Sequence, residues 1–291
     1  MEKRDNHPLE LVLPVAFLWL SYIVTFGGVN PLLPRPKTPH MLLDRSRVYI
    51  RSGRFDRALK LTVELSRLFP TNHVYLDQEA MLYRKLGRTT DEINTLIRFM
   101  KYSPTPDEAC PRLGQAYSSL GLKEKAVEAH SECLKLSPKN ADMHFFLAQG
   151  YERLANFELA ESIYRQCLEI SSNNSDCLVG IARTKFFMNK DLEAIQFANL
   201  ALEKHPKSSD ALIILGRALT SQGHFIEAKK ALDNAKFQAP EYGDVYLALA
   251  NLALYSGNDQ QALINYQKVF SLDTQNVEIE KKILKLKEKL K

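Results

Sequence analysis

The sequence is poor in the residues that mark several common classes of protein. It has 4 cysteines in 291 residues, too few for a disulfide-stapled scaffold. Its 12 glycines and 13 prolines exclude a collagen-like or low-complexity chain. A single tryptophan stands against 12 tyrosines and 14 phenylalanines. No G-x-x-x-x-G-K-[ST], G-x-S-x-G, H-E-x-x-H or G-x-G-x-x-G occurs, so nothing argues for phosphate cradling, acyl transfer, zinc hydrolysis or dinucleotide binding. His130, Cys133 and His144 have no recognised zinc-ligand spacing. We therefore expect no catalytic residue, no metal, no cofactor and no small-molecule substrate.

A uniform charge is also missing. The net charge is +5. Residues 39–106 carry 12 Lys/Arg and 7 Asp/Glu, residues 107–276 carry 17 and 21, and residues 277–291 carry 6 and 3. Two positive ends flank a mildly acidic middle, unlike the continuous basic stripe of a nucleic-acid binder. At 45% apolar and 25% charged residues, most of the chain has the composition of a folded soluble domain.

One stretch departs from that composition. Leu11 to Val29 holds no charged residue, and at about 1.5 Å per residue such a helix nearly spans a hydrocarbon core of about 30 Å. Residues 1–10 read as a short tail, 11–29 as a single-pass transmembrane anchor and 30–38 as a stiff Pro-rich linker. The competing readings are a cleaved signal peptide and a helix buried in the folded domain. Beyond the run lie Arg35, Lys37, Arg45, Arg47, Arg51, Arg54 and Arg57, against Lys3 and Arg4 before it. Counted by the positive-inside rule, this puts the C-terminal side in the cytoplasm, with a periplasmic placement as the alternative.

From Pro39 the sequence repeats every 34 residues, with starts at 39, 73, 107, 141, 175, 209 and 243 and no insertion. Position 8 is always small (Ser46, Ala80, Gly114, Ala148, Ala182, Gly216, Ala250), as is position 20 except at Glu92. Position 15 is Gly53, Gly87, Gly121, Ala155, Asn189, Gly223 and Gly257. Position 32 is proline in five of the seven units. Small residues let two helices approach closely, a glycine ends the first, and a proline stops the second. A unit of this kind cannot bury its apolar face alone, so units stack into a solenoid. Residues 277–291, with Ile279, Ile283, Leu286 and Leu290 on one face, read as a C-terminal cap helix.

These positions resemble the tetratricopeptide repeat (TPR) family. The third unit shows the pattern well in Leu113-Gly114, Tyr117, Ala126, Cys133 and Pro138. The resemblance covers 39–276 and implies an all-α, right-handed TPR superhelix of seven helix-turn-helix repeats, preceded by the transmembrane helix. The least regular units are the first two, where Arg45, Glu79 and Glu92 break the pattern, as terminal units tend to do. The simple anchor and uninterrupted repeats suggest a membrane-anchored bacterial type, in the inner membrane.

In the family, the first helix of each repeat lines a concave groove that binds peptides. The matching positions here place Arg47, Arg51, Arg84, Arg112, Phe146, Gln149, Arg153, Arg183, Phe187, Ile214, Arg217, Asn251 and Tyr255 in the partner-binding groove. The implied ligand is a protein segment, extended or helical, with apolar anchors and acidic residues. Position 5 carries no lysine, which removes the signature of chaperone-tail clamps. The expected function is a membrane-tethered scaffold that assembles or localises a membrane-associated complex. The alternatives are a permanent non-catalytic subunit of a membrane enzyme complex and a periplasmic envelope-assembly scaffold. Cys110, Cys133, Cys167 and Cys177 are expected to be small buried thiols. A Cys167–Cys177 bridge, which would demand an oxidising compartment, is the weaker alternative.

Overall fold

The computed structural model describes residues 38–291. The tail, the anchor and almost all of the Pro-rich linker lie outside them. Among the described residues no helix is long and apolar enough to cross a membrane, and fifteen α-helices make up nearly all the ordered structure. They fall into two compact units, divided between Leu65 and Ser66.

The first unit holds α1 (Pro39–Arg51) and most of α2 (Phe55–Leu68). Ser46 at position 8 and Ala58 at position 20 are fully buried. The hydroxyls of Ser46 and Thr62 lie 2.9 Å apart and reach the Ala58 carbonyl at 3.3 and 3.1 Å.

The second unit runs through α3 (His73–Lys85), α4 (Thr89–Tyr102), α5 (Cys110–Ser119), α6 (Lys123–Leu136), α7 (Ala141–Arg153), α8 (Phe157–Ile170), α9 (Ser175–Phe187), α10 (Asp191–Lys204), α11 (Ser209–Ser221), α12 (Phe225–Gln238), α13 (Gly243–Tyr255), α14 (Asp259–Leu272) and α15 (Val277–Lys289). The 34-residue frame sets these limits. Odd-numbered helices open a repeat and end at position 13; even-numbered ones fill positions 17–30. Position 15 is in the left-handed region in all seven repeats, and these are the only positive φ angles among the described residues. Five are glycines; Ala155 (φ 56) and Asn189 (φ 59) adopt it with a side chain.

In four repeats of the second unit the residue just before the opening helix caps it. Asn72, Asn140, Asn174 and Ser208 each accept backbone N–H groups from the helix they precede, which satisfies donors the helix leaves orphaned. The third repeat has Pro106 in that place, so it opens instead on a 3-10 turn, Pro106–Ala109, and α5 is correspondingly short.

Within the second unit each helix packs on the next, and from α5 to α13 each repeat-opening helix also packs on the opening helix of the following repeat. Among the described residues, the backbones of the second helices of successive repeats stay apart, although side chains reach between them, as Arg165 of α8 does over the Phe197 ring of α10 at 5.3 Å. A solenoid whose opening helices are packed and whose second helices are splayed has the opening row on its inner face. The core is a continuous seam through the repeats; one section joins Val127, Ala148, Tyr164 and Ile181. The terminal helix α15 closes this seam with Ile279, Ile283 and Leu286 against α13 and α14. Leu290, expected on the same face, falls just past the helix end and is exposed.

Glu79 and Glu92, which break the repeat pattern in the second unit of the frame, are both buried. Burial pushes the Glu92 carboxyl above the usual carboxylate range, opposed by Arg84 and Arg112. One expectation changes. The cysteines are not free thiols: Cys110 is bridged to Cys133 and Cys167 to Cys177.

Candidate protein-binding groove

The inner row of the second unit carries most of the groove residues expected from the sequence. Arg47 and Arg51 belong to the first unit, where both are exposed and Arg47 lies 3.8 Å from Asp44.

Most arginines of the inner row are already paired, and their partners follow a rule. Position 12 of one repeat meets position 9 of the next: Arg84 donates to Gln115, and Arg183 donates to Glu152. Two further contacts use adjacent positions: Arg112 donates to Asp77, and Arg153 to Ser118 at 2.8 Å. Arg153 also reaches Gln149 at 3.4 Å. Glu152 is the most committed acceptor, taking Arg183 Nη2 at 3.1 Å and the Tyr164 hydroxyl at 2.9 Å. Burial pulls the Arg183 pKa down, but the Glu152 carboxylate outweighs it and the net shift is upward. These arginines staple repeat to repeat.

Arg217 is the exception. It stands at position 9 of the sixth repeat, equivalent to Arg183 of the fifth. The position-12 residue facing it is Phe186, where Arg183 has Glu152. No hydrogen bond or ion pair reaches the Arg217 guanidinium among the described residues. Burial holds that guanidinium below the usual arginine range, against the field of Asp244. It lines a cleft of about 280 Å³ with Phe186, Thr220, Leu247, Asn251 and Tyr255. Asn251 uses its carbonyl oxygen to accept from Tyr266 at 2.9 Å, which leaves its amide donors for the cleft's polar side. Tyr255 is 68% exposed on the rim, and Phe187, 46% exposed, stacks on Phe157 with ring centroids 5.4 Å apart. The cleft thus offers cationic and amide donors beside an apolar wall.

Of the expected groove residues, Ile214 is a core residue and Phe146 packs against the core. Ile214 is 2% exposed and packs with Ala182 and Ala198. Position 6 turns inward there because the small residues at the facing positions leave room for it. Phe146 is half-buried: it stacks on His130 at 5.8 Å and packs against Cys110, Cys133 and Met143. Four lining residues were missing from the expected site: Thr220, Ser221, Leu247 and Ala248. Of the adjacent pair Phe186 and Phe187, it is Phe186 that lines the cleft, and the mismatch of a phenylalanine at position 12 with an arginine at position 9 was the signal that distinguishes it.

A family model described as "Tetratricopeptide repeat" matches residues 108–140 and 141–174. Those two units are tetratricopeptide repeats. A TPR protein from Parabacteroides merdae has a similar fold, with a TM-score of 0.74 at 16% identity over 86% of this chain and 99% of that one. The APC/C hetero-tetramer Cut9-Hcn1 matches with a TM-score of 0.65 and 15% identity, over 88% of this chain and 50% of that one. A thermophilic TPR protein of Thermus thermophilus matches with 0.57 and 16%, over 62% of this chain and 98% of that one. No curated protein matches. TPR repeats are protein–protein interaction scaffolds and generally non-catalytic.

Proposed function

We propose that this TPR chain is a membrane-tethered scaffold. Residues 11–29 hold it to a bacterial inner membrane, and the inner face of repeats five to seven binds a segment of a partner protein. The carrying observation is the half-buried Arg217, unpaired among the described residues, in a cleft with an aromatic rim. A half-buried arginine with no carboxylate partner gains from a ligand that supplies one, and Tyr, Phe and Arg together are the usual composition of an interface hot spot. The bound segment carries an acidic side chain that meets Arg217 and Asn251, and an apolar one that lies on Phe186, Leu247 and Tyr255. Tethering raises the effective concentration of the site near the bilayer, so modest affinity suffices to gather a complex there.

A displayed random-peptide library selected against the full chain in detergent micelles tests this reading. The expected result is enrichment of peptides pairing Asp or Glu with apolar residues, and loss of the acidic preference on Arg217→Gln. Selected peptides with no acidic preference, or an unchanged preference on the variant, would sink it.

A further inference from the structure

Every cysteine of the chain is bridged among the described residues. Cα separations of 6.0 Å for Cys110–Cys133 and 6.4 Å for Cys167–Cys177 fall within the span a disulfide accepts without moving the backbone. All four side chains are fully buried. Cys133 and Cys167 share position 27 in adjacent repeats, yet pair in opposite directions. Cys133 reaches back to α5 of its own repeat; Cys167 reaches forward to α9 of the next. Position 27 is Leu65, Phe99, Ala201, Ala235 and Val269 in the other repeats, all buried. An ordinary apolar side chain therefore meets the packing demand there, and packing does not explain two cysteines, each with a second cysteine within bridging reach.

Structural disulfides form and persist in oxidising compartments and are rare where thiols are kept reduced. We propose that residues 66–291 fold and function in an oxidising, exported compartment, with the two bridges as permanent structural bonds. This reverses the side given by the basic flank from Arg35 to Arg57. The reversal has a physical reason. Flanking charge governs short loops of up to about 60 residues, whereas long folded segments cross largely regardless of it. The chain runs 262 residues past Val29 (291 − 29), well outside that range. The proposal does not depend on what the groove binds.

Two readouts on the full chain, expressed in a Gram-negative host, test it. Thiols are trapped with N-ethylmaleimide at lysis, the protein is denatured, and a maleimide mass tag is added with and without prior reduction. The expected result is no tag without reduction and four with it, matching the 4 cysteines. The double variant Cys167→Ser/Cys177→Ser should show no tag before reduction and two after, since Cys110 and Cys133 remain paired. Reporter fusions after Lys291 should be active for an export-dependent enzyme and inactive for a cytoplasm-dependent one. Free thiols in the untreated chain overturn the bridges, and a cytoplasm-active reporter overturns the compartment, whatever the other readout gives.

Discussion

Arg183 and Arg217 occupy one repeat position and have opposite surroundings, so the same substitution should act differently at each. Arg183→Gln leaves Glu152 half-paired in a largely buried setting and should cost about 3 kcal/mol in urea unfolding. Arg217→Gln breaks no internal hydrogen bond or ion pair. It should change stability by less than about 1 kcal/mol while abolishing the acidic preference of selected peptides. His130 offers a pH test. It is buried, its Nδ1 has no hydrogen-bond partner, and a Cβ added at Gly114 would lie 1.9 Å from its Nε2. Burial, with a smaller contribution from Arg153, lowers its pKa from 6.5 to about 4. The unfolded chain therefore binds a proton first as pH falls, and stability is lost between pH 6.5 and 4, by an amount on the order of 3 kcal/mol. Above that window this group contributes no slope. Melting curves from neutral pH down through the window should show the loss in the natural chain, and His130→Leu should flatten it.

At the scale of elements, the turn after each opening helix is the most constrained feature. Ala155 holds a left-handed backbone that a side chain resists. Ala155→Gly should therefore raise stability by about 0.5–1 kcal/mol despite the added freedom of the unfolded chain. Asn189→Gly should gain less, since asparagine tolerates that region; paired thermal unfolding measures both. These turns were legible in the sequence because glycine recurs at the place where only a left-handed residue fits. The start signals were less so. Asn72, Asn140, Asn174 and Ser208 are the caps, but the frame drawn from Pro39 put them at the end of one unit rather than the start of the next. The groove was read from helix positions alone. That located Arg217, Asn251 and Tyr255 on the cleft, but it placed Ile214 outside the core. Whether a position-6 side chain faces inward depends on the size of the residues opposite, some of which belong to other repeats.

At the scale of the molecule, the repeat frame carried nearly the whole architecture of residues 39–291, because the helix limits follow it. The cysteine pairing was not legible to the same degree, since Cys110 and Cys133 are separated by 23 residues and only packing brings them together. Loops of 23 and 10 residues give about 3 kcal/mol of stabilisation each in the chain-entropy account. In a solenoid such stabilisation stays near the cross-links, because each repeat contacts only its neighbours. Hydrogen exchange should therefore show residues 110–177 as the most protected segment. Reductant should cut protection there by roughly a hundredfold or more, at tenfold per 1.4 kcal/mol, while changing residues 209–272 far less. Uniform protection before reduction would count against the bridges' contribution.

The backbones of the inner row pack together while those of the outer row stand further apart, and this makes the second unit a leaf spring. Bending it changes the spacing of the outer helices at little cost in buried contacts. One cross-link ties α5 to α6 and the other α8 to α9, and no cross-link lies beyond α9. The cleft of Arg217 lies in that unclamped part, between α9 and α13. Its width is therefore set by the curvature of the free end, and a guest wedged between Phe186 and Tyr255 would be registered as a change of pitch.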